Sequence, residues 1–159
     1  MKKIKIIGIC GSARKESYNM TLLKYIYNNK MDDIDFEILD ISKLPMFNED
    51  LEDNRPEEVI KYTNELIKAD GFIIVTPEHN YSVPALLKNA LDWGSRGEVK
   101  GFNNKPVGII SASFGMLGGA RVQYQLRQIC ISLNLIPINR PEVFIGEVNK
   151  KIDELGNIN

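Results

Sequence analysis

Short, unbroken apolar runs alternate along the chain with longer stretches whose apolar residues recur every three or four positions. The runs are Ile4 to Cys10, Phe36 to Leu39, Gly71 to Thr76, Val107 to Ser111 and Leu135 to Ile138, the last extending toward Phe144. Runs of this kind, without polar alternation, suit strands covered on both faces, as in a parallel sheet. Between them Leu22, Leu23 and Ile26 make a short helical stripe, and Val59, Thr63, Leu66 and Ile67 a second. Val83, Leu86, Leu87, Ala90, Leu91 and Gly94 make a third, and Val122, Leu126, Ile129, Cys130 and Leu133 a fourth. Each stripe predicts a helix with one buried face. The first helix should begin near Asn19, and Ser82 should cap the third, with Pro84 tolerated in its first turn. The order β-α-β-α-β-α-β-α-β predicts a three-layer α/β sandwich with right-handed crossovers.

Length and charge narrow the function classes. A chain of 159 residues without repeats or linkers reads as a single domain spanning 1–159. Lys plus Arg number 20 against 21 Asp plus Glu, a net charge of -1, which argues against nucleic-acid binding through a broad basic surface. No apolar run is long enough to cross a bilayer, and the basic start is followed only by Ile6 to Cys10 before Gly11 and Ser12, too short for a secretory signal. Cys10 and Cys130 sit far apart in apolar segments and read as reduced core residues of a cytoplasmic protein. With His79 the only histidine, no metal site is assigned.

In a parallel α/β sheet, ligands bind outside the carboxyl ends of the strands, where strand order reverses. The segments to expect there are 11–20, 76–82 and 112–119. In the first, Gly11 permits a tight turn, while Ser12, Ser17 and Asn19 supply neutral donors and Arg14 a permanent charge beside a helix N-terminus. That set suits a terminal phosphate dianion. It is neither a G-x-G-x-x-G nor a Walker loop, and Cys10 has no evident nucleophilic role. In the second, Thr76-Pro77-Glu78-His79-Asn80-Tyr81-Ser82-Val83-Pro84, two prolines hold backbone groups in preset directions suited to the edge of a planar heteroaromatic ligand. In the third, Ser113 and the amides near Gly115 could touch the same ligand, with Gly118 and Gly119 allowing close approach, or the segment could simply connect strand to helix. Arg121 reads as an interface or solvent residue.

Together these segments resemble the NADPH-dependent FMN reductase family, which includes quinone, azo-dye and chromate reductases. The resemblance rests on Gly11-Ser12-x-Arg14-x-x-Ser17-x-Asn19, on Pro77 through Pro84, on Leu87-Lys88-Asn89-Ala90-Leu91-Asp92-Trp93, and on Gly118-Gly119-Ala120-Arg121 with Gln125-Leu126-Arg127-Gln128. It implies a flavodoxin-like fold with a five-stranded parallel sheet in the order 2-1-3-4-5. It implies FMN as cofactor, with Gly11, Ser12, Arg14, Ser17 and Asn19 at its phosphate. Pro77, Glu78, His79 and Asn80 would carry the ring system, mostly through backbone, and Ser113 and Gly115 would flank it. His79 stands where the family usually has Tyr.

The activity implied is two-electron hydride transfer from NADPH or NADH to a small acceptor such as a quinone, azo compound, free flavin or metal oxyanion, with the flavin rather than a side chain carrying the chemistry. A one-electron flavodoxin-type carrier or a non-catalytic flavin-binding protein are the alternatives. The family usually continues into a last helix that this sequence does not show. The sheet face so uncovered should be apolar and covered by a partner subunit, giving a homodimer or homotetramer.

Overall fold

A computed structural model describes residues 3–153 and 156–158. Its elements alternate as expected: β1 (Ile4–Cys10), α1 (Tyr18–Asn28), β2 (Ile34–Leu39), α2 (Glu57–Lys68), β3 (Gly71–Thr76), α3 (Ala85–Gly94), β4 (Pro106–Ala112), α4 (Ala120–Leu133), β5 (Ile136–Pro137) and β6 (Val143–Ile145). The sheet runs β2-β1-β3-β4-β5, all parallel, with β6 also paired to β4. This is the flavodoxin-like topology, with the strand order reversing between β1 and β3.

Register assigns the two sheet faces. Ile7 aligns with Phe72 and Ile9 with Ile74, and with Val107 and Ile109 they form one core beneath α2, α3 and α4. Leu66, Leu87, Leu91, Trp93 and Leu126 fill it from the helices. The opposite face carries Cys10, Val75 and Ala112 against Leu22 and Leu23 of α1. Both cysteines are free and buried.

Two expectations change. The fifth strand is split: β5 pairs the start of β4 and β6 its end, while residues 139–142 bulge away between them. Pro141 has no N–H to offer a ladder, and Arg127 holds the bulge through Asn139 Oδ1 and the Ile138 carbonyl, each at 3.1 Å. Ser82 does not cap α3. Pro84 occupies the cap position, and the Ser82 hydroxyl donates to Gln125 Oε1 at 2.7 Å instead.

Among the described residues no α-helix follows α4. The segment after β6 places Val148 and Ile152 in the core beside α1, but Ile73 and Ile110 remain half-buried and Ile4 is 48% exposed on the same face. No helix of the described residues is long and apolar enough to cross a membrane.

Candidate functional site

At the end of β1 the chain closes against β3. Gly11 N–H donates to the Val75 carbonyl at 2.9 Å, and a Cβ on Gly11 would lie 2.3 Å from Thr76 Oγ1. Glycine is required there by Thr76 rather than by a ligand. The chain then swings out to Ser17, which caps α1: its Oγ accepts Met20 N–H at 3.3 Å. Helix geometry leaves the first amides, Tyr18 and Asn19, without an intrahelical acceptor, and no described residue outside the helix accepts them. Ser12 Oγ accepts Arg14 N–H at 3.3 Å and keeps its own hydrogen to donate.

Arg14 has no carboxylate at ion-pair distance among the described residues. Its guanidinium stands 5.5 Å from the Tyr18 ring and 6.0 Å from the Phe114 ring, and the two rings meet edge to face at 5.6 Å. A cation held by two aromatic rings, beside unsatisfied amides, is preorganised for an anion. The surrounding cavity, about 380 Å3, is walled by the first loop, by Pro77 to His79, and by Ala112 to Phe114 with Val148.

The second loop is a tight hairpin. His79 and Ser82 exchange both backbone bonds, at 3.1 and 2.8 Å, around Asn80 and Tyr81 at φ +50° and +64°. An aromatic residue at positive φ is uncommon, and several contacts fix it. The Arg121 guanidinium covers the Tyr81 ring at 4.1 Å, and Gln125 Nε2 donates to the Tyr81 carbonyl at 2.8 Å. Glu78 reaches from this loop to α4, where its carboxylate accepts Val122 N–H at 3.1 Å and pairs with Arg121 at 3.5 Å. Since His79 N–H is spent on Ser82, the backbone donors left on this loop are those of Glu78, Asn80, Tyr81 and Val83, none of which has an acceptor among the described residues.

The third loop is zipped to the chain after β6. Ser113 N–H donates to the Ile145 carbonyl at 3.1 Å, Val148 N–H to Ser113 at 3.1 Å and Glu147 N–H to Gly115 at 3.3 Å. Behind it, buried Ser111 Oγ lies 2.6 Å from the Gly118 carbonyl and receives Gln123 Nε2 at 2.9 Å. Gly118, at φ +59°, would set a Cβ 2.6 Å from Ile145 N. Gly118 therefore serves the approach of this strip, and a Cβ on Gly119 would meet Ser111 Cβ at 2.9 Å, so neither glycine is explained by a ligand alone. Ser113 keeps its place in the cavity wall and donates its hydroxyl to the Gly115 carbonyl at 3.1 Å.

Ser12, Arg14, Ser17, Asn19, Pro77, Glu78, His79 and Ser113 thus share one cavity, while Gly11, Asn80 and Gly115 lie outside its wall. Asn19 needs a further correction. Its carboxamide is engaged with the backbone of Ala112, not left free for an anion. Tyr18, Ala112, Phe114 and Val148 also line the cavity and were not expected. Nothing in their spacing marks them, because Arg14 meets Phe114 only through the fold. Burial pushes the Cys10 thiol above its ordinary value and the Cys130 thiol up to about 11, which leaves both protonated and without a nucleophilic role.

The family model for NADPH-dependent FMN reductase matches residues 4–150. The chain belongs to this family. It is 39% identical over 156 residues to an NAD(P)H-dependent FMN reductase of Pseudomonas aeruginosa, covering 98% of this chain and 84% of that protein. It is 38% identical to a 2-hydroxy-1,4-benzoquinone reductase of a Burkholderia species, again over 156 residues, covering 98% of this chain and 85% of the relative. The solved structure of FerB, a flavoenzyme NAD(P)H:(acceptor) oxidoreductase from Paracoccus denitrificans, superposes with a TM-score of 0.89 at 29% identity, covering 98% of this chain and 86% of FerB.

Proposed function

We propose that this family member is an FMN-dependent NAD(P)H oxidoreductase that reduces small acceptors such as quinones, azo compounds, free flavin or metal oxyanions. The observation that carries the reading is the Arg14 guanidinium, without an acidic partner among the described residues, in one cavity with the unsatisfied amides at the start of α1. A terminal phosphate dianion supplies the charge and the acceptors that this set lacks, so the residues present fit FMN. The names carried by the relatives from Pseudomonas aeruginosa and Burkholderia support the same cofactor and acceptor class.

Arg14, the Ser12 and Ser17 hydroxyls and the first amides of α1 would hold the phosphate. Glu78 N–H and Ser113 would meet the ring system. Bound FMN supplies the hydride-accepting and hydride-donating chemistry. The chain's part is to anchor one end of the cofactor and keep the loop at the other end rigid through the hairpin and Glu78. No side chain is assigned a proton transfer. NADPH or NADH is the donor.

The test is an anaerobic titration. Protein loaded with FMN should lose its visible absorbance on addition of NADPH or NADH and regain it with a quinone. Failure to take up FMN, or absorbance unchanged by both nucleotides, overturns the reading.

The described residues form one flavodoxin-like domain in this reading. Exposed Ile4 with half-buried Ile73 and Ile110 beside α1 is where a second copy would pack, as a homodimer or homotetramer. Light scattering that finds only monomer at micromolar concentration overturns that part. The two buried free thiols fit the reducing cytoplasm.

A further inference from the structure

We infer that Asn19 is a positioning residue of the flavin site, its side chain a brace that sets the width of the cavity without itself touching the cofactor. The inference rests on the flavin reading above. Asn19 is the second residue of α1 and only 5% exposed. Its Oδ1 accepts the Ala112 N–H at 3.1 Å, and its Nδ2 donates to the Ala112 carbonyl at 3.2 Å. One carboxamide thereby makes both bonds that a neighbouring strand would make with Ala112.

The fold explains why β4 needs this substitute. Successive residues of a strand point their backbone groups to opposite sides. Ser113 bonds toward Ile145, so Ala112 faces the other way, toward β3. Pairing between β3 and β4 ends at Thr76 and Ser111, and Glu78 N–H, which the alternation that turns Val75 toward Gly11 would aim at the Ala112 carbonyl, does not bond to it. Ala112 therefore turns two backbone groups toward a place that β3 has left, at the point of the sheet where a ligand cavity opens. Unpartnered and buried, they would be costly. Asn19 satisfies both.

The consequence for the site follows from what stands on either side of this link. Ser17 and Tyr18, next to Asn19, belong to the phosphate end of the cavity, and Ser113 and Phe114, next to Ala112, form the facing wall. Asn19 is the buried hydrogen-bonded tie between them. The ring contacts that also cross, Tyr18 and Arg14 against Phe114, are at the rim, with Phe114 58% exposed. With both ends of its carboxamide spent, Asn19 orders the two walls before any flavin arrives.

A brace and a phosphate ligand differ in one measurable respect, since riboflavin has the ring system of FMN and no phosphate. Binding of each to flavin-free wild type and Asn19→Leu is followed by quenching of flavin fluorescence. Affinities for FMN and riboflavin should both fall, by a common factor of about ten. Loss of FMN affinity alone would make Asn19 a phosphate ligand and overturn the inference, as would unchanged affinity for both. Should Asn19→Leu not fold, amide exchange in flavin-free wild type decides. The Ala112 amide should exchange slowly before flavin is added, and fast exchange overturns the brace. Wild type that binds neither flavin defeats the underlying reading and the inference with it, a result distinct from the others.

Discussion

The Glu78 carboxylate accepts the backbone N–H of Val122 at 3.1 Å, tying the loop after β3 to the first turn of α4. Gly119, at the cap position of α4, has no side chain to satisfy that amide, so a residue 44 positions away does it. The same carboxylate pairs with half-exposed Arg121 at 3.5 Å. Glu78→Ala should cost about 1–2 kcal/mol by orphaning the amide. Glu78→Gln, which keeps an oxygen for Val122, should cost less than half as much. Urea denaturation of the three proteins checks the order, and equal losses for the two variants would show that the cap is not the source.

Arg14 is held between two rings rather than by a carboxylate, so its charge is available to a ligand. Arg14→Ala should weaken FMN binding by roughly ten- to a hundredfold, the worth of one charge-assisted hydrogen bond, and leave riboflavin binding unchanged. Phe114→Ala removes one of the two rings and should weaken FMN about two- to fivefold. Isothermal titration with both flavins separates these effects. Equal FMN affinity in Arg14→Ala and wild type would contradict the phosphate assignment.

At the opposite end of β1, Lys5 Nζ lies 2.7 Å from Glu65 and 2.9 Å from Glu37, and Lys68 reaches Glu65 from the next turn of α2. Hydrogen bonds from Lys5 and then Lys68 hold the Glu65 carboxyl below its ordinary value of 4.5. A carboxyl whose folded value is depressed stabilises the fold above its unfolded value, and that stability is lost as pH falls through the lower folded value. Stability should therefore decline below about pH 4.5, and Glu65→Gln should flatten the decline. Parallel slopes for variant and wild type between pH 6 and 3 would rule out this network as a cause.

Burial pushes both thiols up, Cys130 to about 11. At pH 8 the native protein should give almost no reaction with Ellman's reagent, and the denatured protein should give two equivalents, one for each cysteine of the chain. Rapid reaction of one thiol in the native protein would show that a buried cysteine is reachable.

Much of the fold was legible because the central strands are covered on both faces. β1 and β3 run over the residues their apolar runs mark, Ile4–Cys10 and Gly71–Thr76. Legibility faded at the edges of the sheet. Edge strand β2 begins at Ile34, two residues before the apolar run, because Ile34 and Asp35 alternate on a strand with one free side. The fifth strand breaks after Ile138, where Arg127 holds the chain in a bulge and Pro141 has no donor. The site followed the same rule: Ser12, Arg14 and Ser17 could be read from their nearness to a helix start, whereas Ser82 and Glu78 bond to partners far along the chain and Gly118 lies against Ile145.

Local chemistry in the sequence determined which segments become strands and helices, their order, and the family, because apolar period, proline and glycine act over a few residues. Tertiary structure alone decided that Asn19 serves Ala112, that Glu78 caps α4, and that Phe114 stands against Arg14. Each of these is a hydrogen bond or ring contact between residues 44 to 100 positions apart, and such contacts exist only once the sheet has brought the strand ends together.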